Sequence, residues 1–290
     1  MARYGGQSMV APLRRVLVRR PDAAFAVDDP ALWHYAGRPH LPTAQHEHDT
    51  LVSIMRAAGV EVVYHDVDLP EHADAVFVFD PVLITDKGAV LLSMGKELRR
   101  GEEAAMAAVL ARLGVPLQYS LHGAARAEGG DLLWLDRHTL AVGQGFRTNG
   151  EGLRQLEEAL EPLGAHVLGI DLPFDGGPEA CLHLLSLISL VDDDLAVVFE
   201  PLLPVPLWRE LRRRGIRLLN VPEREFRQTM GTNVLALAPR RCVMLEGSPV
   251  TRSLLERAGC EVRTYHGDEL SLKAEGGPTC LTRPLLRQSH

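Results

Sequence analysis

The sequence predicts an α/β fold in which five ββαβ-like units stand around a central axis. The first observation is a pattern that occurs five times, an amphipathic helix that ends at or just before a glycine and is followed by a short β-branched strand. The second is a pair of strand-like runs, joined by a polar turn, between successive helices. A doubly wound sheet would place one strand between helices, whereas each unit here has about three. A closed ring of five units is the better interpretation.

The helices are the clearest elements, because apolar side chains recur in them at intervals of three and four residues. Glycine readily adopts the left-handed conformation that closes many helices. The helix-to-strand segments are 51–65, 106–120, 156–170, 207–221 and 253–265. The glycines that mark the helix ends are Gly59, Gly114, Gly164, Gly215 and Gly259. Their regular spacing, on the order of 50 residues, is that of an internal repeat.

Paired strand signals lie between these helices. Hairpins are expected in segments 75–94, 129–146, 182–199 and 233–247. The fifth hairpin is split between the ends of the chain, with residues 278–287 beside residues 13–21. This pairing would close the ring. We therefore predict one domain over residues 1–290.

Composition and charge exclude several functional classes. The chain is 46% hydrophobic and carries a net charge of −7, with acidic and basic residues interleaved. This composition predicts a globular protein that binds neither nucleic acid nor an anionic membrane surface. No apolar run approaches the roughly 20 residues of a membrane span, and residues 1–21 lack the apolar stretch of a signal peptide. We expect a cytoplasmic protein, and the oligomeric state stays open, with a homodimer among the alternatives.

The cysteines are too few for a disulfide scaffold in a chain of 290 residues, and none has the Cys-x-x-Cys spacing typical of zinc sites. We predict no metal and no cofactor. Three of them, Cys181, Cys242 and Cys260, are expected to do no more than pack. Cys280 differs because it follows Gly-Gly-Pro-Thr, a sequence typical of an exposed turn and not of a core strand.

The tetrapeptide Ala-Glu-Gly-Gly occurs twice, at residues 127–130 and 274–277. In a ring of repeats, residues at the start of different units converge on the central channel. The two turns are therefore expected to meet there, and their glycines would let the backbone turn sharply and approach a ligand closely.

Six further motifs occur along the chain, namely ADAVFVFDP (73–81), LRRGEE (98–103), EGGDLL (128–133), GFRTNGEG (145–152), CLHLLS (181–186) and EGGPTCLT (275–282). In this order they resemble the motifs of the guanidino-group modifying enzymes, the pentein or five-bladed α/β-propeller superfamily, and most closely those of its dimethylarginine dimethylaminohydrolase branch. EGG alone is a weak signal, but six motifs in the right order with a C-terminal cysteine are specific. The resemblance covers essentially the whole chain.

The resemblance implies a cysteine-dependent hydrolase of a guanidino or amidine compound. Cys280 matches the nucleophile, which would form a covalent amidino-thioether that water then hydrolyses. His183 matches the general acid and base, although a histidine among so many leucines is otherwise more often a core residue. Glu128 would orient that imidazole, or else be a turn carboxylate in water. Asp131 more plausibly braces the same turn.

Substrate recognition is also implied by the resemblance. Asp80 matches the guanidinium-binding aspartate, and Asp74 matches an upstream acid of the substrate pocket. Arg147 and Arg99 match arginines that clamp an α-carboxylate, for which a planar bidentate donor is suited. Arg100 is the alternative to Arg99 in register, and for either the other interpretation is a solvated charge at a helix start.

Two residues depart from the family pattern. Phe79 stands where the dimethylarginine enzymes have a glutamate, and Leu185 stands where deiminases and amidinotransferases have an aspartate. The leucine argues against those two branches. The phenylalanine argues against dimethylarginine itself and favours an alkylated or otherwise modified guanidine, or a different amidine. Plain arginine is expected to be a poor substrate, and any arginine-like substrate is expected to be N-substituted. Phe79→Glu would accordingly shift preference toward the methylated arginines. Residues 33–39 are either an active-site lid or a packed N-terminal arm.

Within the class, the alternatives are an amidinotransferase, which hands the amidino group to an amine, and an arginine deiminase or dihydrolase. A different class is a non-catalytic binding protein, because the same propeller fold also serves a ribosome anti-association factor. The discriminating feature is the set of Cys280, His183 and Glu128, which a binding module does not need.

Overall fold

A computed structural model of the protein describes residues 3–178, 180 and 182–288. Its strands form five sheets of three strands each. In each sheet one outer strand, which we call the first strand of the unit, pairs antiparallel with the middle strand. The other outer strand, which we call the last strand of the unit, pairs parallel with the middle strand. This is the ββαβ unit that the sequence predicts, repeated five times.

The strands divide among the units as follows, with the first unit closed by the last strand of the chain. They are β1 (Leu13–Val18), β2 (Glu61–Tyr64) and β15 (Arg283–Arg287); β3 (Val82–Thr85), β4 (Gly88–Leu91) and β5 (Leu117–Ser120); β6 (Leu132–Asp136), β7 (Thr139–Gln144) and β8 (His166–Asp171); β9 (Ile188–Asp192), β10 (Leu195–Val198) and β11 (Arg217–Asn220); β12 (Val234–Ala238), β13 (Arg241–Leu245) and β14 (Glu261–Tyr265).

In each unit one helix connects the middle strand to the last strand. The α-helices in chain order are α1 (Leu41–Ala57), α2 (Glu102–Arg112), α3 (Gly150–Leu160), α4 (Leu184–Leu187), α5 (Val205–Arg213), α6 (Glu223–Thr229) and α7 (Pro249–Arg257). The two further short helices, α4 and α6, lie just before β9 and between β11 and β12. The five predicted glycines follow α1, α2, α3, α5 and α7, with φ between 62° and 86°. The predicted helix ends are confirmed, because these backbone angles favour glycine.

Burial shows which strands face the interior. The first strands β3, β6, β9, β12 and β15 are almost wholly buried, whereas the last strands β2, β5, β8, β11 and β14 are exposed or half-buried at most positions. The helices pack their apolar faces on the sheets, as when Leu51 and Met55 of α1 join Val16 and Val18 of β1 in one cluster. The first strands therefore surround the centre of the molecule.

The ends of the chain meet in one sheet. Val16 of β1 pairs with Pro284 of β15, so the predicted split hairpin is confirmed. Cys280 lies in the turn before β15 and not within the strand itself. The thiol is therefore placed by a turn at the start of a unit.

The hairpin predicted in segment 75–94 is confirmed, since β3 pairs antiparallel with β4, but it begins later than its apolar run. Residues 75–80 are not a strand, because Ala73–Val76 is a short 3-10 helix, followed by turns up to residue 81. The amide of Phe77 donates to the carbonyl of Asp74, and the amide of Phe79 donates to the carbonyl of Cys280, so neither joins a strand ladder. The apolar run reflects burial at the centre of the ring, which a strand and a buried turn share.

Candidate active site

Each of the five units contributes one polar side chain from the segment just before its first strand. Asp80 precedes β3, Glu128 precedes β6, His183 precedes β9, Asn233 precedes β12 and Cys280 precedes β15. The first strands surround the centre, so residues far apart in sequence converge there. The expectation that the starts of different units meet is thereby realised.

A pocket of about 340 Å3 opens over these residues. Asp80, His183, Asn233 and Cys280 all line it, whereas Glu128 is fully buried behind His183. This volume lies at the lower end of the range for small-molecule sites.

Glu128 accepts hydrogen bonds from several donors and is 0% exposed. Its Oε2 lies 2.7 Å from Nε2 of His183, and its Oε1 accepts from the backbone amides of Gly95 at 2.9 Å and Lys96 at 3.0 Å. Burial alone would raise the pKa of this carboxyl, but the hydrogen bond and charge of His183, with the charge of Arg147, hold the pKa well below its usual range. Glu128 is therefore ionised and lies within hydrogen-bond distance of the imidazole of His183.

His183 is held on its other sides by short local contacts. Its backbone amide donates to Oγ of Ser186 at 3.0 Å, at the start of the short helix α4. Asp131 braces the same segment, because its Oδ1 accepts from the amide of Leu184 at 2.9 Å while Oδ2 accepts from the hydroxyl of Thr148. A Cβ at position 130 would lie 2.5 Å from Nδ1 of His183, so only glycine fits there.

Cys280 is partly exposed to the pocket, and its sulfur accepts a hydrogen bond at 3.4 Å from Nδ2 of Asn233. Oδ1 of Asn233 accepts from the amide of Thr279 at 3.1 Å, so the same amide side chain also holds the turn before the thiol. A Cβ at Gly277 would lie 2.5 Å from Cγ of Asn233. A hydrogen-bond donor beside the sulfur favours the thiolate form that a nucleophile requires.

Asn233 was missed in the sequence, although a signal for it existed. It occupies the position before the first strand of its unit, as Asp80, Glu128, His183 and Cys280 do in theirs. The repeat therefore predicts a site residue at the equivalent position of the remaining unit, and that residue is Asn233.

The two Ala-Glu-Gly-Gly turns both reach the centre, but they do different things. In the first, Glu128 is buried beneath His183, whereas in the second Glu275 lines the pocket with a φ of 59°. Burial raises the pKa of Glu275 above its usual value. The glycines of both turns make room for protein side chains, His183 against Gly130 and Asn233 against Gly277, and the ligand contact expected from the sequence is not what requires them.

Asp80 lines the pocket at 4% exposure and has two partners already. Its Oδ2 accepts from Nη1 of Arg99 at 2.6 Å, and its Oδ1 accepts from the amide of Gly130 at 2.9 Å. These bonds fix the carboxylate in place. Each oxygen has a second lone pair that could accept from a guanidinium.

The carboxylate clamp predicted for Arg99 does not match its position. Its guanidinium is 3% exposed and donates to Asp80, to the carbonyl of Phe77 at 3.0 Å, and to both oxygens of Glu102 at 3.0 and 2.8 Å. A planar guanidinium held on three sides by protein positions Asp80 and does not reach out to a second carboxylate. Arg100, the alternative in register, pairs with Glu97 on the surface.

Arg147 also lines the pocket, with a side chain 11% exposed. Its Nη1 lies 3.3 Å from Oε2 of Glu128, which draws the guanidinium toward the base of the pocket. Arg147 is thus the predicted arginine that remains placed to contact a ligand.

Asp74 lines the pocket and is 4% exposed. Its Oδ1 accepts from the hydroxyl of Tyr35 at 2.9 Å, and its Oδ2 accepts from Nζ of Lys96 at 2.6 Å. Lys96 also donates to the carbonyl of Trp33 and lies over its ring. Residues 33–35 are therefore anchored to Asp74 and Lys96, and Trp33 and His34 also line the pocket.

The two departures from the family pattern form an apolar wall. Phe79 and Leu185 are buried and both line the pocket. The ring of Phe79 faces the protein interior as well, because the guanidinium carbon of Arg283 lies 3.6 Å from its centroid. The sequence does not predict this contact. It affects the expected result of Phe79→Glu, because a carboxylate at position 79 would lie beside the Arg283 guanidinium.

The other cysteines lie away from the pocket where they are described. Cys242 and Cys260 are buried in the packing of the fourth and fifth units, while Cys181 lies outside the described residues. Within residues 3–178, 180 and 182–288, no group of three His, Cys, Asp or Glu side chains is placed to hold a metal ion. In the same part of the chain, no helix combines the length and apolar character needed to cross a membrane.

Comparison with known proteins places this geometry among enzymes that act on guanidino groups. Residues 36–284 match the family described as N,N dimethylarginine dimethylhydrolase, eukaryotic. The chain is 32% identical over 275 residues to the N(G),N(G)-dimethylarginine dimethylaminohydrolase of Streptomyces coelicolor, covering 93% of this chain and 96% of that protein.

Solved structures share the fold. A dimethylarginine dimethylaminohydrolase of Pseudomonas aeruginosa, a cysteine-to-serine mutant complexed with citrulline, superposes with a TM-score of 0.76 at 21% identity over 93% of this chain and 98% of that one. An amidinotransferase of Microseira wollei, from a saxitoxin biosynthetic pathway, superposes with a TM-score of 0.82 at 17% identity over 100% of this chain and 98% of that one. These likenesses support the five-unit propeller.

Proposed function

The chain belongs to the N,N-dimethylarginine dimethylhydrolase family, and we propose that its pocket hydrolyses an N-substituted arginine to citrulline and an amine through Cys280. The enzyme is a hydrolase of C–N bonds in linear amidines. One observation carries the assignment of residues: the buried carboxylate of Glu128 lies 2.7 Å from the imidazole of His183, in the pocket that Cys280 also lines.

The first half of the reaction forms a covalent intermediate. The Cys280 thiolate attacks the central carbon of the guanidinium, and a C–S bond forms. The His183 imidazolium gives its proton to the substituted nitrogen, the C–N bond breaks and the amine leaves. Glu128 stabilises the imidazolium before that transfer, since its negative charge lies within hydrogen-bond distance.

The second half regenerates the enzyme. Neutral His183 takes a proton from water, and the resulting hydroxide attacks the carbon of the amidino-thioether. The C–S bond breaks, the sulfur leaves as a thiolate, and the added hydroxyl loses its proton to solvent, which gives the neutral ureido group of citrulline. Overall, one water is consumed, and the released amine takes up a proton from solvent, so the guanidinium charge ends on the amine.

The substrate is held by charged groups that line the pocket. Asp80, fixed by Arg99 and Gly130, accepts from the guanidinium, while Arg147 contacts the α-carboxylate. Asp74 and Glu275 supply negative charge for an α-amino group. Arg99 acts through Asp80 and is a positioning residue.

The apolar wall determines which guanidine fits. Phe79 and Leu185 leave Asp80 as the main charged partner of the guanidinium, so a plain guanidinium loses more hydrogen bonds on leaving water than an alkylated one does. Plain arginine is therefore expected to be a poor substrate.

A substrate panel tests this proposal. The protein is incubated with arginine, N-substituted arginines and shorter guanidino acids, and citrulline, ornithine, ammonia and alkylamine are measured, with Cys280→Ser protein as the matched control. Citrulline and alkylamine in equal amounts support the hydrolase. A product that needs added glycine or lysine indicates a transferase, and turnover of no guanidino compound contradicts catalysis altogether.

We also infer that residues 1–290 act as one domain, because β1 and β15 share a sheet. A cytoplasmic location is proposed on composition alone.

A further inference from the structure

A second, smaller cavity lies behind the wall of the substrate pocket. Phe79, Leu185 and Thr279 line both cavities and so separate them. The second, which we call the axial cavity, is further bounded by Ser8 and Met9 from the N-terminal segment, Trp134 of β6, Ser189 of β9, and Arg283 and Arg287 of β15. Its volume is about 30 Å3. A water molecule takes a similar share of the liquid, about 30 Å3, so the space suits a single small occupant.

Two buried arginines line this cavity. Arg283 is 4% exposed and Arg287 is 8% exposed. Burial lowers the pKa of each to about 9, so both remain cations at neutral pH. The axial cavity is therefore bordered by two positive charges that are shielded from solvent.

The protein partners of these arginines are neutral. Arg287 donates to the carbonyls of Ala11 and Ala236, at 2.7 and 2.8 Å. Arg283 donates to the carbonyl of Phe79 and stacks on its ring. The carboxylate of Asp80 acts on Arg283 electrostatically, but it is already hydrogen-bonded to Arg99. Buried cations with neutral partners are unfavourable unless a counter-charge lies nearby.

Two donors in the wall also lack a partner. Among the residues that the structure describes, Nε of Arg283 and Nε1 of Trp134 are buried and make no hydrogen bond. Both groups are donors only, so whatever satisfies them must accept. The hydroxyl of Ser189 does not serve, because it donates to Thr232 and accepts from the amide of Val234.

We propose that the axial cavity binds a halide-sized monovalent anion, held by Arg283, Arg287 and the indole N–H of Trp134. The cavity is small, the two unpartnered groups described above are donors, and its two arginines are positively charged. The anion lies behind Phe79, where it shields the positive charge of Arg283 from the substrate pocket. The site is independent of the proposed reaction, since it is measured by binding.

Crystallography with bromide tests the site directly. Crystals grown in sodium bromide are measured at the bromine absorption edge, where anomalous scattering identifies the ion. We expect a peak between Arg283, Arg287 and Trp134. Refined water in the cavity with no anomalous peak overturns the proposal.

Thermal unfolding gives an independent readout. At equal ionic strength, sodium chloride is expected to raise the Tm above that in sodium gluconate by about 2 °C or more once chloride reaches roughly ten times its Kd. Trp134→Phe keeps the ring and removes one donor, so it should reduce this chloride-dependent shift. The control Trp208→Phe, at an exposed position, should leave the shift unchanged.

A charge variant makes the same test with a different group. Arg287→Met should abolish the chloride-dependent shift, while Arg263→Met, at an exposed arginine of β14, should not. If Arg287→Met does not fold, Trp134→Phe still decides the matter. Equal shifts in wild type, Trp134→Phe and Trp208→Phe would show that chloride acts elsewhere and would refute the site.

Discussion

Replacing Glu128 with glutamine perturbs the centre of the proposed site while keeping the shape of the side chain. The carboxylate accepts from two backbone amides and from His183, and all of these groups present donors to it. A glutamine must place its NH2 group, which is itself a donor, against either the two backbone amides or the imidazole of His183. The variant therefore breaks at least one buried hydrogen bond and removes the charge that holds the imidazolium.

The size of the effect follows from these contacts. A hydrogen bond to a charged group contributes about 1.5–3 kcal/mol, so losing one lowers the free energy of unfolding by about that amount. For a chain of this size the Tm should fall by about 2–5 °C. Loss of a working general acid and base should lower kcat about a hundred-fold or more.

The pH dependence has a definite sign. The pKa of Glu128 in the folded protein lies below its unfolded value of 4.5. The ionised carboxylate therefore stabilises the fold above pH 4.5, and this stabilisation is lost progressively as pH falls through the lowered pKa. Glu128→Gln should lose less stability than wild type between about pH 5 and pH 3.

Glu225 provides a matched control. It is also buried and accepts from the amides of Val250 and Thr251, both at 2.8 Å, without contacting His183. Glu225→Gln should lower the Tm by a similar amount and leave kcat close to wild type. The reasoning is refuted if Glu128→Gln keeps kcat within threefold of wild type, or if both variants lose activity equally.

Three further predictions concern residues around the pocket. Asn233→Ala removes the donor beside the Cys280 sulfur and should lower kcat about tenfold, as one lost hydrogen bond does. Asn220→Ala, at the exposed end of β11, should not lower kcat, and equal kcat values for the two variants in steady-state assays would argue against a role for Asn233. Arg147→Met should raise KM tenfold or more with little change in Tm. Arg99→Met should lower the free energy of unfolding by about 3–5 kcal/mol, because it leaves buried carboxylates unpaired. The reverse pattern in kinetics and calorimetry would show that Arg99 is the carboxylate clamp. Phe79→Glu alone should pair with Arg283, so preference should shift toward methylated arginines only in Phe79→Glu/Arg283→Met; a full shift in the single variant would show that Arg283 does not compete.

Much of the architecture could be predicted because its signals are local. Gly59, Gly114, Gly164, Gly215 and Gly259 close helices through their own backbone angles, and the apolar periodicity of each helix reports its buried face. Counting about three strands per unit distinguished the ring from a doubly wound sheet. The segment 75–80 could not be predicted in this way, because a buried turn is as apolar as a buried strand.

The positions of some site residues could likewise be predicted from the sequence, and those of others could not. Glu128 and His183 come together as expected, since each opens a unit and the ring brings those openings to its centre. The position of Arg99 could not be inferred from the sequence, because its pairing with Asp80 and Glu102 depends on how a loop enters the core. The stacking of Arg283 on Phe79 depends likewise on contacts between residues 204 positions apart.

The central claim is that Cys280 carries the covalent step, and mapping the adduct tests it most directly. The protein is incubated with a haloacetamidine, digested, and analysed by mass spectrometry for the modified cysteine. We expect activity to fall in proportion to the modification of Cys280 alone. An N-substituted arginine should protect Cys280 from modification. Inactivation that follows labelling of Cys181, Cys242 or Cys260 with Cys280 unmodified would contradict it.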